Sequence, residues 1–259
     1  MRTTVNEDGD EKVKITVITP TSRKEAKAQP EWPEWFKAET KEIDSQLKNV
    51  SWAIVELPPG RKLVKSGWVY KLKLHSNGEI AKFKCRLVCK GYSQEYGFDY
   101  NDTFAPAIQR STLRLLVAIA ASMGWPIYEN DVETAFLNAP IEEEMYMEQP
   151  LGHEIKNPDG SIKKGPNGRK LVCRLISAIY GTKQAGRNWY KTFIEPILSF
   201  RGTVPCDVDT CLFCCRRGDS KRAVSGNVRF HPLKTTRATH NSIYSGLIDG
   251  GYPDLDIES

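Results

Sequence analysis

The sequence predicts an α+β fold, an antiparallel sheet with packed helices between disordered termini, and three observations lead to it. Asn77-Gly78 joins two runs that alternate apolar and basic residues with period two, the strongest short-range signal of a β-hairpin. Apolar residues recur at helical spacing near Trp32, over 111–123 and around Trp189. Short apolar runs bounded by Gly and Pro fill the intervals, as strands do. Residues 1–30 are a polar lead and 216–259 a divergent tail; both lack periodicity and read as disordered. The folded part is expected over 31–215.

Each element has a local cause. A helix introduced by Trp32 and Pro33 places Phe36, Ile43, Leu47 and Val50 on one face for docking. Residues 52–57 form a strand closed by Pro58, Pro59 and Gly60. In the hairpin, Trp68, Tyr70, Leu72 and Leu74 share a face with Ala81, Phe83, Cys85, Leu87 and Cys89, because strand faces alternate strictly. Lys71, Lys73, Lys82, Lys84, Arg86 and Lys90 then make a basic plate suited to a triphosphate or a nucleic-acid backbone. A helix follows over 111–123 with Ser111 as N-cap and Gly124 at its end. A strand over 127–132 carries Asp131 to its mouth, and 144–148, 170–175 and 211–215 read as further strands. Trp189, Phe193, Ile197 and Phe200 stripe a last helix, which Pro196 kinks or shortens.

Charge is segregated along the chain, whose total is only +5 over 259 residues. Nine bases and one acid lie over 61–90, whereas seven acids and no base lie over 129–148. Such a pair of segments suits a site holding phosphates on one side and cations on the other, or two solvated surfaces of opposite sign. Seven cysteines, an odd number, with no charged-then-apolar leader, argue against a secreted disulfide framework. The longest apolar run, 113–123, is too short for a bilayer, so an intracellular location, cytoplasmic or nuclear, is expected. The spacing of Cys206, Cys211, Cys214 and Cys215 with His231 and His240 lies outside that of zinc fingers.

A series of ordered blocks is more specific. WAIVELPPG, GWVYKLKLHSNGEIAKFKCRLVCKGYSQEYGFDYNDTFAP, STLRLLVAIAASMGW, DVETAFLNAPIEEEMYMEQPLG, CRLISAIYGTKQAGRNW and DVDTCLF follow one another. Together they resemble the reverse transcriptases, RNA-directed DNA polymerases, of copia-type long-terminal-repeat retrotransposons. The resemblance implies the fingers and partial palm of a right-hand polymerase. It implies that Asp131 is a catalytic ligand of Mg2+ together with the backbone carbonyl of Val132, and that Phe136 is a steric gate at the sugar 2′ position. Lys84 and Arg86 would approach the incoming deoxynucleoside triphosphate, Gln184 would lie near template and nucleotide, and the partners would be an RNA template and a DNA primer.

The departures weigh as much. Thr182 and Gly186 stand where the family has an apolar residue and a proline, and Ala139 with Pro140 replaces a glycine after FLN. After Phe213 the family continues to Tyr-Val-Asp-Asp, but the chain turns to CCRRGDSKRAVSGN, and no Asp-Asp pair occurs in its 259 residues. Two-metal phosphoryl transfer holds two cations about 3.5 to 4 Å apart and needs carboxylates from separate strands to converge on them. Two readings follow. As origin, the chain is a reverse transcriptase domain; as present activity, a catalytically incompetent remnant that binds nucleic acid is favoured.

Overall fold

A computed structural model describes residues 2–5, 11–14, 17–124, 127, 131–199, 203–217 and 220–225. The described elements are, in chain order, β1 (Arg2–Val5), β2 (Glu11–Lys14), α1 (Arg23–Ala28), α2 (Trp32–Lys48), β3 (Trp52–Glu56), β4 (Leu63–Val64), β5 (Ser66–Leu74) and β6 (Ile80–Cys89). They continue with α3 (Arg110–Met123), β7 (Tyr146–Met147), β8 (Leu171–Leu175), α4 (Ala185–Ser199), β9 (Thr203–Pro205), β10 (Leu212–Arg217) and β11 (Ser220–Ser225). The chain divides into two units, one of Met1–Ala105 with Phe136–Glu195, the other of Pro106–Ala135 with Pro196–Ser259.

In the first unit β5 and β6 pair antiparallel in the register that the alternation requires. Trp68 faces Leu87, Tyr70 faces Cys85 and Leu72 faces Phe83, so the apolar sets coincide. The turn is longer than the two-residue one that Asn77-Gly78 implies. His75 N–H donates to the Glu79 carbonyl at 2.8 Å and Gly78 N–H to the His75 carbonyl at 3.0 Å. Only Gly78 has a positive φ there, +83°. This is the three-residue loop with a left-handed glycine, and the Asn77 carboxamide oxygen accepts Glu79 N–H at 3.1 Å. The second sheet has the order β3-β8-β7-β4, antiparallel except for the β4 and β7 pair. A core of Trp35, Trp52, Trp68, Leu87, Met147 and Cys173 unites the two sheets with α2.

Helix α2 begins at Trp32 with Pro33 in its first turn, as the sequence indicates. Of the expected face only Ile43 packs against the core. Phe36, Leu47 and Val50 are exposed, while Trp35, Glu39 and Gln46 are buried. The Trp35 ring meets Phe83 at 4.6 Å and Tyr70 at 5.4 Å between centroids, both edge to face. One turn on, the Glu39 carboxylate accepts from Arg23 Nε at 3.1 Å and from the Tyr70 hydroxyl at 2.5 Å, and lies 3.1 Å from His153 Nε2. A buried carboxylate survives because several donors surround it.

Of the lead expected to be disordered, residues 2–5, 11–14 and 17–30 are described. Residues Arg2–Val5 and Glu11–Lys14 pair as strands, and α1 is capped by the Ser22 hydroxyl, which accepts Glu25 N–H at 3.2 Å. Arg23 then ties α1 to Glu39, which supplies the tertiary partner that a six-residue helix needs.

In the second unit α3 starts one residue before the expected span, with Gln109 rather than Ser111 at its cap position. Asp209 takes over the capping: one carboxylate oxygen accepts Gln109 N–H at 2.9 Å, the other Cys211 N–H at 3.0 Å. Gly124 ends the helix at φ +67°, as expected. Strand β10 extends the expected 211–215 and pairs with β9 and with β11. Within the tail read as unstructured from 216 onward, Ser220–Ser225 pairs in register with Leu212–Arg217 as β11, while residues 226–259 lie outside the described ones. Of the strand expected over 127–132, residues 128–130 lie outside the described residues, and Ile127, Asp131 and Val132 belong to no strand. Phe200 likewise lies outside them, and α4 continues through Pro196 to Ser199.

The Glu39 cluster gives a test of stability. Removing the carboxylate leaves Arg23 and Tyr70 without a buried acceptor, so Glu39→Ala should cost about 3 kcal/mol in urea unfolding at neutral pH. Burial pushes the Glu39 carboxyl up, but His153, Tyr70 and Arg23 outweigh it and hold it below its ordinary 4.5. The contribution is therefore complete above about 4.5 and lost as pH falls through the lower folded value. The deficit of the variant should shrink in acid.

Candidate nucleic-acid and triphosphate site

The hairpin concentrates like charges. Across the strands Lys71 lies opposite Lys84 and Lys73 opposite Lys82, while Arg86 pairs with Val69 on the same face. Directly opposed like charges destabilise a sheet. The cost is visible at Lys84, whose ammonium is pushed down to about 8 by burial and then by Arg86 and Lys73. Glu42 of α2 offsets part of this. It accepts Leu87 N–H at 3.3 Å, and burial raises its own carboxyl. Lys90 follows the end of β6, and its Cε lies 3.1 Å from where a side chain on Gly67 would begin. Such a face is relieved by an anion.

Arg86 leads to the next group. Its guanidinium carbon stands 5.1 Å from the centre of the Tyr180 ring, and Tyr180 meets Phe136 edge to face at 5.1 Å. The short 3-10 turn Ala135–Asn138 carries Phe136, closed by Ala139 N–H donating to the Phe136 carbonyl at 3.0 Å. Ala178 N–H donates to the Ala139 carbonyl at 2.8 Å, and Asn188 Nδ2 to the Pro140 carbonyl at 3.0 Å, so the turn is pinned beyond β8 and by α4. The structure thus joins Arg86 and Phe136 through Tyr180, which sequence reasoning did not single out. Its signal was its place at the head of YGTKQAGR.

Gln184 faces inward. It is 1% exposed, its carboxamide oxygen accepts Gln94 Nε2 at 2.9 Å, and its Nε2 donates to the Asp99 carbonyl at 2.9 Å and to Glu143 at 3.1 Å. Gln94 in turn accepts Lys183 N–H at 2.8 Å. The amide braces a loop against the head of α4.

The acidic segment is largely committed. Glu142 pairs with Lys191 at 3.0 Å, Glu144 with Arg61, and Glu148 with Lys170 at 3.0 Å. Glu143 receives Gln184. Of the other acids of that run, Asp131 and Glu133 are among the described residues and Glu129 is not. Asp131 and Val132 lie in irregular, half-buried backbone ahead of Thr134, whose φ is +52°. A β-branched residue in that region is strained by about 1–3 kcal/mol. Among the described residues no group of three His, Cys, Asp or Glu side chains could hold a metal ion. Of the groups expected at Mg2+, Asp131 and Val132 are described, while residues 128–130 beside them are not. Among them too, no helix is long and apolar enough to cross a membrane.

A pH test follows from Lys84. Its charge is complete below about 8 and lost above it. Affinity for a single-stranded oligonucleotide, read by fluorescence anisotropy, should fall as pH rises from 7 to 9, with the slope of log affinity against log salt dropping by about 0.7. Lys84→Arg, which stays charged, should remove that dependence.

Comparison with known proteins agrees with the blocks in the sequence. The family profile described as reverse transcriptase (RNA-dependent DNA polymerase) matches residues 49–228. The chain is 39% identical over 175 residues to the retrovirus-related Pol polyprotein from transposon TNT 1-94 of Nicotiana tabacum, covering 67% of this chain and 12% of that protein. It is 39% identical over 188 residues to the Pol polyprotein from transposon RE2 of Arabidopsis thaliana, and 37% identical over 187 residues to that from RE1 of the same plant. Each covers 72% of this chain, which spans 12% of the length of either protein. No solved structure matches the chain. The family match runs past Phe213 to residue 228 and contains no Asp-Asp pair. The chain belongs to the reverse transcriptase family, as the reverse transcriptase domain of copia-type retrotransposon Pol polyproteins.

Proposed function

We propose that these 259 residues form the fingers and part of the palm of a right-hand polymerase, with the working part over 31–215, and that by themselves they bind nucleic acid without polymerising. One observation carries the reading: two pairs of lysines opposed across one hairpin face, with Lys84 held partly buried among them. In this reading Lys71, Lys73, Lys82 and Lys90 take the backbone of an RNA template or DNA primer. Lys84 and Arg86 take the triphosphate of a deoxynucleotide. Phe136 senses the sugar, its ring set by Tyr180. Gln184 acts by holding the loop at Gln94 rather than by touching template. Asp131 and the Val132 carbonyl would be the metal-facing groups, and a divalent ion there would supply charge neutralisation at the reacting phosphate.

The second reading is a working polymerase, favoured by the family alone. Several features support the first. The chain contains no Asp-Asp pair, and Asp209 of the DVDTCLF block serves as a helix cap. Losing the stabilisation that a second cation supplies, several kcal/mol, lowers a rate by on the order of 10³-fold or more.

Both halves are tested on one preparation. Replacing Lys82, Lys84, Arg86 and Lys90 together by Ala should weaken single-strand binding and reduce the salt slope by about 0.7 for each phosphate released. Primer extension on an RNA template, with magnesium or manganese, should give no incorporation. Incorporation that Asp131→Asn abolishes would establish the polymerase reading, and an unchanged salt slope would remove the binding one.

A further inference from the structure

The loop that follows the basic hairpin holds large aromatic rings in solvent. Tyr92, Tyr96 and Phe98 are 79%, 73% and 82% exposed within seven residues of sequence. A single exposed ring needs no explanation, but three large rings exposed on one short loop are unusual and point to a surface that is used. The backbone beneath these rings is built rather than slack. Asp99 accepts Glu95 N–H at 2.9 Å on its carboxylate, and its own N–H donates to the Glu95 carbonyl at 2.9 Å. Gly97 N–H donates to the Tyr100 carbonyl at 2.9 Å, with Gly97 at φ +82°. Gln94, 5% exposed, fastens the loop to Gln184 and to Lys183. A loop whose backbone is fixed in this way loses little freedom when something lies against its rings.

Charge indicates what does. The loop continues directly from β6, whose outer face carries Lys82, Lys84 and Arg86 and leads to Lys90. Lys183 stands 4.4 Å from the centre of the Tyr100 ring, and Tyr100 meets Tyr96 at 5.8 Å. The loop's own acids are spent: Glu95 on Lys62, Asp102 on Arg187 at 2.9 Å, and Asp99 on the turn itself. Exposed rings on a loop that follows a cationic face, with Glu95 and Asp102 paired to bases, match a strand that offers bases and phosphates alternately.

We propose that Tyr92, Tyr96 and Phe98 form a stacking platform for the bases of a single-stranded nucleic acid whose phosphates lie on the hairpin cations. This extends the reading of the hairpin as a nucleic-acid surface and rests on it. The platform is indifferent to base identity, because every base has a π-face.

The test uses the whole chain with two fluorescein-labelled strands of equal length, an oligothymidylate and an abasic strand. The triple substitution Tyr92→Ser, Tyr96→Ser and Phe98→Ser should weaken binding of the oligothymidylate by about 10- to 100-fold, since stacking is lost for more than one base. Its salt slope should stay at the wild-type value, and its affinity for the abasic strand should change by less than about twofold, because phosphate contacts are intact. The double substitution Tyr92→Phe and Tyr96→Phe should keep wild-type affinity, for the ring and not the hydroxyl does the work. Equal affinities of wild type and triple variant for the oligothymidylate, or an equal loss on the abasic strand, would overturn the proposal. A wild-type dimer that the triple variant dissociates, with no loss of affinity, would assign the rings to a second copy of the chain and overturn it as well. If only replacement of the hairpin cations weakened binding, the platform would fall and the hairpin reading would stand. If wild type bound neither strand, both would fall.

Discussion

Two glycines bring backbone against backbone, and the arrangement of the first unit depends on them. At the end of β6 the Cys89 N–H donates to the Tyr180 carbonyl at 2.8 Å. A side chain on Gly181 would run into the Cys89 carbonyl, and one on Gly91 into the Gly181 carbonyl. Gly181 also has φ +92°, a conformation other residues avoid. The close approach fixes the hairpin against the YGTKQAGR turn. From it follow the Arg86 guanidinium over Tyr180, the Tyr180 ring against Phe136, and the Gln94 carboxamide against Gln184. A hairpin alone is marginally stable in water. Here it is anchored at its base by this contact and along its apolar face by Trp35.

The two charged segments of the sequence have different fates in the fold. Three acids of the second run, Glu142, Glu144 and Glu148, meet bases within the first unit, so that they hold elements together. Four lysines of the first run, Lys71 with Lys84 and Lys73 with Lys82, are set opposite one another on a sheet face. Satisfied ion pairs on a surface contribute about 0–1 kcal/mol and need no function to explain them. Opposed lysines lower stability, and a fold retains that kind of local conflict where a ligand resolves it. The same contrast separates Glu39 from Lys84. Glu39 is buried with its donors around it and serves the fold, whereas Lys84 is partly buried among other cations.

Much of this was legible in the sequence where side-chain period and backbone agree. Hairpin register followed from strict alternation, and the joining of Trp68, Tyr70 and Leu72 to the facing apolar set followed with it. The face of α2 was misread because hydrophobicity alone cannot value a carboxylate that will find Arg23, Tyr70 and His153 from positions up to 114 residues away. Helix α3 was placed nearly correctly, yet its cap is Asp209, about a hundred positions later and invisible to a local rule. Ser220–Ser225 is polar enough to pass for a loop, and pairing with Leu212–Arg217 makes it a strand. Of the candidate site, the cations and Phe136 were legible from blocks of residues. The inward turn of Gln184 and the linking role of Tyr180 are tertiary facts, for a single glutamine or tyrosine carries no periodicity.

The dependence of the site on the backbone contact at Gly181 can be measured by replacing that residue with alanine and following urea unfolding and single-strand binding together. Strain at φ +92° and collision with the Cys89 carbonyl should lower stability by about 3 kcal/mol, and affinity should fall although no cation has been removed. A Gly181→Ala chain with wild-type stability and wild-type affinity would show that the hairpin works independently of the turn, and would contradict this account.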